Sequence, residues 1–198
     1  MHWIIPNAEE NRDAMQTAWY APTGLPNIGS RPDRPELEDE EDEAGMLRTV
    51  AYLESLIDAC TRKGIPPQRI VLGGFSQGCA MSLLTDLISE KYSGKLAGIV
   101  GLMGYLPLAT GHRLQTLRAK AGLPTTVGEV PVFLARGKKD VLIPKIWWNY
   151  TLKRLDELGL NEGALEVHEY EGLAHGLSGA LLKDMCKWLE RVVPKLED

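Results

Sequence analysis

Ser76, Asp140 and His175 are the side chains whose types and order in this sequence suit covalent chemistry. Ser76 stands between Gly74 and Gly78 as G-x-S-x-G, after the apolar run Ile70, Val71, Leu72 and before a stretch of helical spacing. A serine nucleophile needs that setting: a sharp turn exposes the hydroxyl, glycines relieve its crowding, and a helix start offers free backbone N–H groups to a developing oxyanion. The N–H of Gln77, next after the serine, is the expected oxyanion donor. Asp140 lies in R-G-K-K-D-V-L-I-P after the apolar run 130–135, and His175 in E-G-L-A-H-G-L after the alternating run 165–170. In a triad of these three, His175 takes the proton of Ser76, and Asp140 orients the imidazole and stabilises its charged form.

Each residue also has a plainer reading. G-x-S-x-G is a common pattern, Asp140 by itself is an ordinary turn aspartate, and His175 by itself is a helix-start or surface histidine. Other candidates are weaker: Asp156, Asp184 and His168 fall inside expected helices or a strand, and His112 precedes the acid. The combination of three strand-end positions argues for the triad, because functional residues of a parallel α/β sheet sit in loops at the C-terminal ends of strands.

The elements that must position these residues follow from periodicity. Met46, Val50, Leu53, Ile57 and Cys60 form a helical stripe, stopped by Gly64 and the Pro66-Pro67 pair. Ala80, Leu83, Leu84, Leu87 and Ile88 keep helical spacing after Ser76, as do segments 146–158 and 177–193. Segments 96–102 and 130–135 read as buried strands, 165–170 as a half-buried one, and 2–5 as a short strand ending at Pro6. The proline-containing segment 7–35 reads as mostly loop, in which Trp19, Tyr20 and Leu25 either cover an apolar site or anchor the loop. Alternating strands and helices predict an α/β fold, a mostly parallel sheet with helices on both faces, in one domain over residues 1–198.

Composition narrows the function. A net charge of −5 leaves no basic face for nucleic acid. No run approaches the roughly 18 apolar residues of a membrane-spanning helix, so a cytoplasmic protein is expected. Cys60, Cys79 and Cys186 lack the spacing of a metal or redox pair and read as reduced thiols. The acidic run 36–43 suggests a metal site, but carboxylates at a helix start facing solvent explain it better.

With these motifs in place, the chain resembles the acyl-protein thioesterase and lysophospholipase family of small α/β-hydrolases. The resemblance rests on G-F-S-Q-G, P-N-A near the N-terminus, A-W-Y after it, G-I-P-x-x-R-I before the serine, L-A-G followed by L-P, D-V-L-I-P, and A-H-G. It implies an α/β-hydrolase domain and cleavage of fatty acyl esters, such as S-palmitoyl protein thioesters or lysophospholipids, through an acyl-enzyme on Ser76. No metal or organic cofactor is implied. Leu25, Leu106, Trp147, Trp148 and Leu173 lie in or beside loops that could line an acyl channel, with the two tryptophans better read as core.

The chain departs from the family in four places. Cys79 follows Gly78 where a glycine is usual, so its thiol is expected to crowd the helix against the sheet. The family's H-G-x-x-D acid loop reads R-G-K-K-D, and its tryptophan-aromatic-aspartate reads Trp19-Tyr20-Ala21. The strands that precede position 3 in the family, with an H-G-x-G-D loop giving a second oxyanion donor, do not occur in this sequence. An N-terminally truncated hydrolase fold is the expectation. Strands 2–5 and 70–72 then either pair directly or leave a gap, whose open edge invites a homodimer. Loss of one oxyanion donor costs about 3 to 4 kcal/mol in the transition state. A catalytically impaired acyl-binding or interaction protein is therefore the alternative to an active serine hydrolase, and an incomplete sequence of an active enzyme is a third possibility.

Overall fold

A computed structural model describes residues 1–11, 16–21, 41–160 and 163–195. Two short strands, β1 (Glu10–Asn11) and β2 (Gln16–Thr17), form an antiparallel pair ahead of the main body. There follow helix α1 (Glu43–Arg62), strand β3 (Val71–Phe75), helix α2 (Gln77–Ile88), strand β4 (Gly98–Leu102) and helix α3 (Arg113–Lys120). Strand β5 (Val132–Gly137), helix α4 (Lys145–Glu157), strand β6 (Leu165–Tyr170) and helix α5 (Gly179–Val192) complete the order. Strands β3 to β6 form one parallel sheet in sequence order, as alternating strands and helices require.

Right-handed crossovers that all step in one direction put α2, α3 and α4 on the same face. Their apolar stripes meet α1 in one core built around Met46, Leu53, Leu83, Leu84, Leu114, Leu134 and Leu155. Helix α5 covers the opposite face, where Leu181, Trp188 and Leu189 pack on Val100, Leu102, Phe133 and Ala135. The central strands β4 and β5 are buried throughout, which is why they read as unbroken apolar runs. Strand β6 lies at an edge and shows the alternation expected of a half-buried strand.

The strand expected over residues 2–5 does not form. Trp3, Ile4 and Ile5 are 66, 64 and 85% exposed, and residues 1–9 carry no regular structure. An extended segment becomes a strand only when a ladder satisfies its backbone, and among the described residues β3 pairs with β4 alone. Neither outcome expected for this region is observed, since the first of the two strands does not form, and among the described residues the outer edge of β3 has no partner strand.

The segment read as mostly loop contains the short β1–β2 pair, and helix α3 was not expected. Its sequence signal is weak, since only Leu114 and Leu117 among its apolar residues pack on the core, with Arg118 buried beside them. The acidic run does start a helix: Asp42 caps α1 by accepting the N–H of Gly45, and Glu43 lies in the first turn. Leu25 and residues 36–40 lie outside the described residues.

Candidate active site

The elbow forms where β3 meets α2. Ser76 has φ 55° and ψ −116°, a conformation that costs an L-residue about 1 to 3 kcal/mol. Two backbone hydrogen bonds hold it there, its N–H donating to the carbonyl of Leu102 at 2.8 Å and its carbonyl accepting from the N–H of Ala80, and α2 starts immediately behind it. The two flanking glycines are unequal. A Cβ on Gly74 would run into the backbone of Gly78, whereas one on Gly78 would meet nothing within 4 Å. The crowding of the turn therefore falls on Gly74 alone.

Cys79 is buried on the first turn of α2, and the crowding expected from its thiol does not arise. A Cβ on either Gly101 or Gly104 would collide with the Cys79 side chain, so these two glycines make its space. Burial pushes the thiol up to about 12, partly offset by a hydrogen bond with the backbone of Gly104.

Asp140 and His175 come together from loops more than thirty residues apart in sequence. Nδ1 of His175 lies 2.9 Å from Oδ2 of Asp140. The other carboxylate oxygen accepts the N–H groups of Leu142 at 2.9 Å and Ile143 at 3.0 Å. The Asp140 side chain is 1% exposed, and three donors meet its charge in place of water. The loops themselves are stitched by the N–H of Lys139 donating to the carbonyl of Leu173, with Gly137 so close to Leu173 that no side chain would fit. The imidazole rests against Phe75, ring centroids 4.9 Å apart, which brings it to the residue preceding Ser76.

Gln77 holds more than its backbone position suggested. Its side-chain oxygen accepts the N–H of Trp19 at 3.1 Å and its amide donates to the carbonyl of Tyr20 at 3.3 Å. Thr49 donates to the carbonyl of Trp19, and Asp42 accepts the N–H of Ala21 at 2.8 Å. Residues 19–21 thus form a strap tied to the elbow by one glutamine. Tyr20 then meets Tyr105 through their hydroxyls at 3.3 Å, and Tyr105 packs on Trp147. Trp19 and Tyr20 act as an anchor to the body, one of the two readings the sequence left open.

Met103, directly after β4, was missed by sequence reasoning. It is fully buried with φ 51°, and its sulfur accepts the N–H of Gly137 at 3.0 Å. Nothing in its sequence context announces a methionine in the left-handed region, which a side chain adopts only when its surroundings fix it. Arg136, at the position that departs from the family's acid loop, is buried, reaches Glu169 at 3.6 Å and lies over Trp148. Trp147, Trp148 and Leu106 are core, Leu173 is half-buried, and His168, Asp156 and Asp184 lie within β6, α4 and α5, away from the dyad's two loops.

A serine elbow and a carboxylate–imidazole pair on adjacent strand ends of a parallel sheet make an α/β-hydrolase-like arrangement. The phospholipase/carboxylesterase family model matches residues 1–193, and the chain belongs to that family. It is 37% identical over 197 residues to acyl-protein thioesterase 1 of Yarrowia lipolytica, covering 95% of this chain and 76% of that one. With acyl-protein thioesterase 1 of Emericella nidulans it shares 34% identity, covering 97% and 77%. Among solved structures, Arabidopsis thaliana SOBER1 superposes with a TM-score of 0.75 at 25% identity, covering 96% of this chain and 83% of that one. Zea mays acyl-protein thioesterase 2, at 23% identity and a TM-score of 0.73 over 96% and 81%, shares the fold. Among the described residues, no helix is long and apolar enough to cross a membrane.

Proposed function

We propose that this chain is a serine hydrolase that cleaves fatty acyl thioesters and esters, S-palmitoyl protein thioesters or lysophospholipids, through an acyl-enzyme on Ser76. The observation that carries this reading is the hydrogen bond between His175 Nδ1 and Asp140 Oδ2, with the same imidazole packed on Phe75 beside the elbow. Nδ1–H donates to the ionised carboxylate, which leaves Nε2 as the basic nitrogen. Nε2 removes the proton of Ser76 as its oxygen attacks the acyl carbonyl, and the N–H of Gln77 at the start of α2 donates to the oxyanion. The imidazolium returns that proton to the leaving thiolate or alkoxide. Water then attacks the acyl-serine with His175 again as base, releasing the fatty acid.

The acylated substrate is accompanied by a proposed location in the cytoplasm and a fold of one domain over residues 1–198. A second copy of the chain is a further proposed partner, paired along the outer edge of β3, which has no partner strand among the described residues. Sedimentation equilibrium checks this, and a monomer at all concentrations removes it.

Treatment with a fluorophosphonate probe tests the hydrolase reading. Labelling of Ser76, and hydrolysis of a short-chain thioester that Ser76→Ala abolishes, are the expected results. A folded protein that neither labels nor turns over leaves the impaired acyl-binding reading in its place.

A further inference from the structure

Residues 102–104 lie between the elbow and the acid loop, because β4 stands between β3 and β5 in the sheet. The carbonyl of Leu102 accepts the N–H of Ser76 at 2.8 Å, and the N–H of Met103 donates to the carbonyl of Ala135 at 2.8 Å. Gly104 is so close to the elbow that a Cβ on it would stand 2.8 Å from the carbonyl oxygen of Ser76. One short turn thus touches the nucleophile on one side and the strand leading to Asp140 on the other.

The ladder between β4 and β5 ends at the pair Leu102 and Ala135. In a parallel ladder carried one step further, the N–H of Gly137 would meet the carbonyl of residue 103. Met103 leaves the strand at that point with φ 51°, and its sulfur accepts the N–H at 3.0 Å instead. A thioether is a weak acceptor, but both residues are buried, and an N–H without any partner there would be the costlier alternative. Gly137 in turn governs both loops of the dyad. Its carbonyl accepts the N–H of Asp140 at 3.1 Å, closing the turn that presents the carboxylate. A Cβ on Gly137 would stand 2.1 Å from the carbonyl oxygen of Leu173 and 2.6 Å from that of Ala174, the residues just before His175. Packing this close transmits displacement, so a shift of Gly137 moves Asp140 and His175 relative to Ser76.

We propose that Met103 is a positioning residue for the acid–base pair: its sulfur fixes Gly137, and Gly137 fixes where Asp140 and His175 stand with respect to the elbow. This deepens the proposed hydrolase reading and rests on it for the effect on turnover, although the hold on the imidazole does not depend on catalysis.

Met103→Leu in the full chain is the test, since it keeps the volume of the side chain and removes the acceptor. On a water-soluble short-chain thioester its kcat should fall about tenfold at unchanged KM. The same substitution made on Asp140→Asn should cost nothing further, because the group through which Met103 acts is already disabled. A purely structural role would instead cost the same factor in both backgrounds. The nitrogen NMR shifts of the His175 ring should show one tautomer, protonated on Nδ1, in the wild type and a mixture of tautomers in Met103→Leu. Met103→Gln, which offers a carbonyl oxygen to Gly137, should keep the wild-type tautomer, and a mixture in that variant overturns the proposal even where Met103→Leu does not fold. Wild-type kcat and ring shifts in Met103→Leu, or an equal loss of turnover in both backgrounds, overturn it as well. A wild type without hydrolysis, whose ring shifts still change in Met103→Leu, sinks the hydrolase reading and leaves the positioning role standing.

Discussion

Oδ2 of Asp140 accepts from His175 Nδ1 while Oδ1 of the same carboxylate accepts from two backbone N–H groups, those of Leu142 and Ile143. This division of the two oxygens fixes what an amide would do at position 140. In Asp140→Asn the amide oxygen keeps the two backbone donors, which turns the NH₂ group towards Nδ1. The imidazole must then carry its proton on Nε2, where it cannot accept one from serine. Turnover should fall about ten-thousand-fold with little change in melting temperature, as kinetics and thermal denaturation would show. A variant with near-wild-type turnover would remove Asp140 from the mechanism.

The strain at Ser76 separates stability from activity. Glycine adopts φ 55° without the steric cost that serine bears there. Ser76→Gly should therefore lose hydrolysis and melt higher, by the equivalent of about 1 kcal/mol. A lower melting temperature would show that the elbow is relaxed.

Gly74 and Gly78 flank the serine symmetrically in sequence and differ in space. Gly74→Ala should destabilise by about 1 to 3 kcal/mol through overpacking against Gly78. Gly78→Ala adds a methyl to open space in a helix and should be neutral or slightly stabilising. Chemical denaturation of the two variants decides between this asymmetry and equal effects.

Cys79 and Cys186 should differ in reactivity. Cys186 is exposed, whereas burial raises the Cys79 thiol to about 12. Iodoacetamide at pH 8 should modify Cys186 in the folded protein and Cys79 only after unfolding, read by peptide mass. Rapid native alkylation of Cys79 would contradict its packing between Gly101 and Gly104.

Asp86 on α2 makes stability depend on pH. Burial raises its carboxyl from 3.8 to about 7, against smaller opposing effects of the Gly94 N–H and of Arg118. A raised folded-state value means that the native state holds the proton longer than the unfolded chain does. Stability is therefore lost as pH rises from about 4 to about 7 and is constant beyond, a total of a few kcal/mol. Asp86→Asn cannot ionise, so its melting temperature should gain on the wild type through that window. Parallel melting curves for the two proteins from pH 4 to 8 would rule this out.

Much of the candidate site was legible because its signals are local. The strand–serine–helix turn needs a compact set of residue types, and β4, β5 and β6 declared themselves by burial pattern. Asp140 and His175 were found by their places after strands. The strand at 2–5 misled because an apolar β-branched run states a capacity to pair and says nothing of a neighbour. Gly78, Cys79 and Met103 were opaque because their environments are built by distant segments.

The sequence by itself determined the alternation of strands and helices, the elbow and the order serine, acid, histidine, since periodicity and turn chemistry act within a few residues. Tertiary structure decided which groups meet. It paired His175 with Asp140, tied Trp19 and Tyr20 to Gln77, made room for Cys79 opposite two glycines, and left the outer edge of β3 without a partner strand among the described residues. Each of these depends on the distance between residues far apart in the chain, which is set only when sheet and helices bury their apolar faces together.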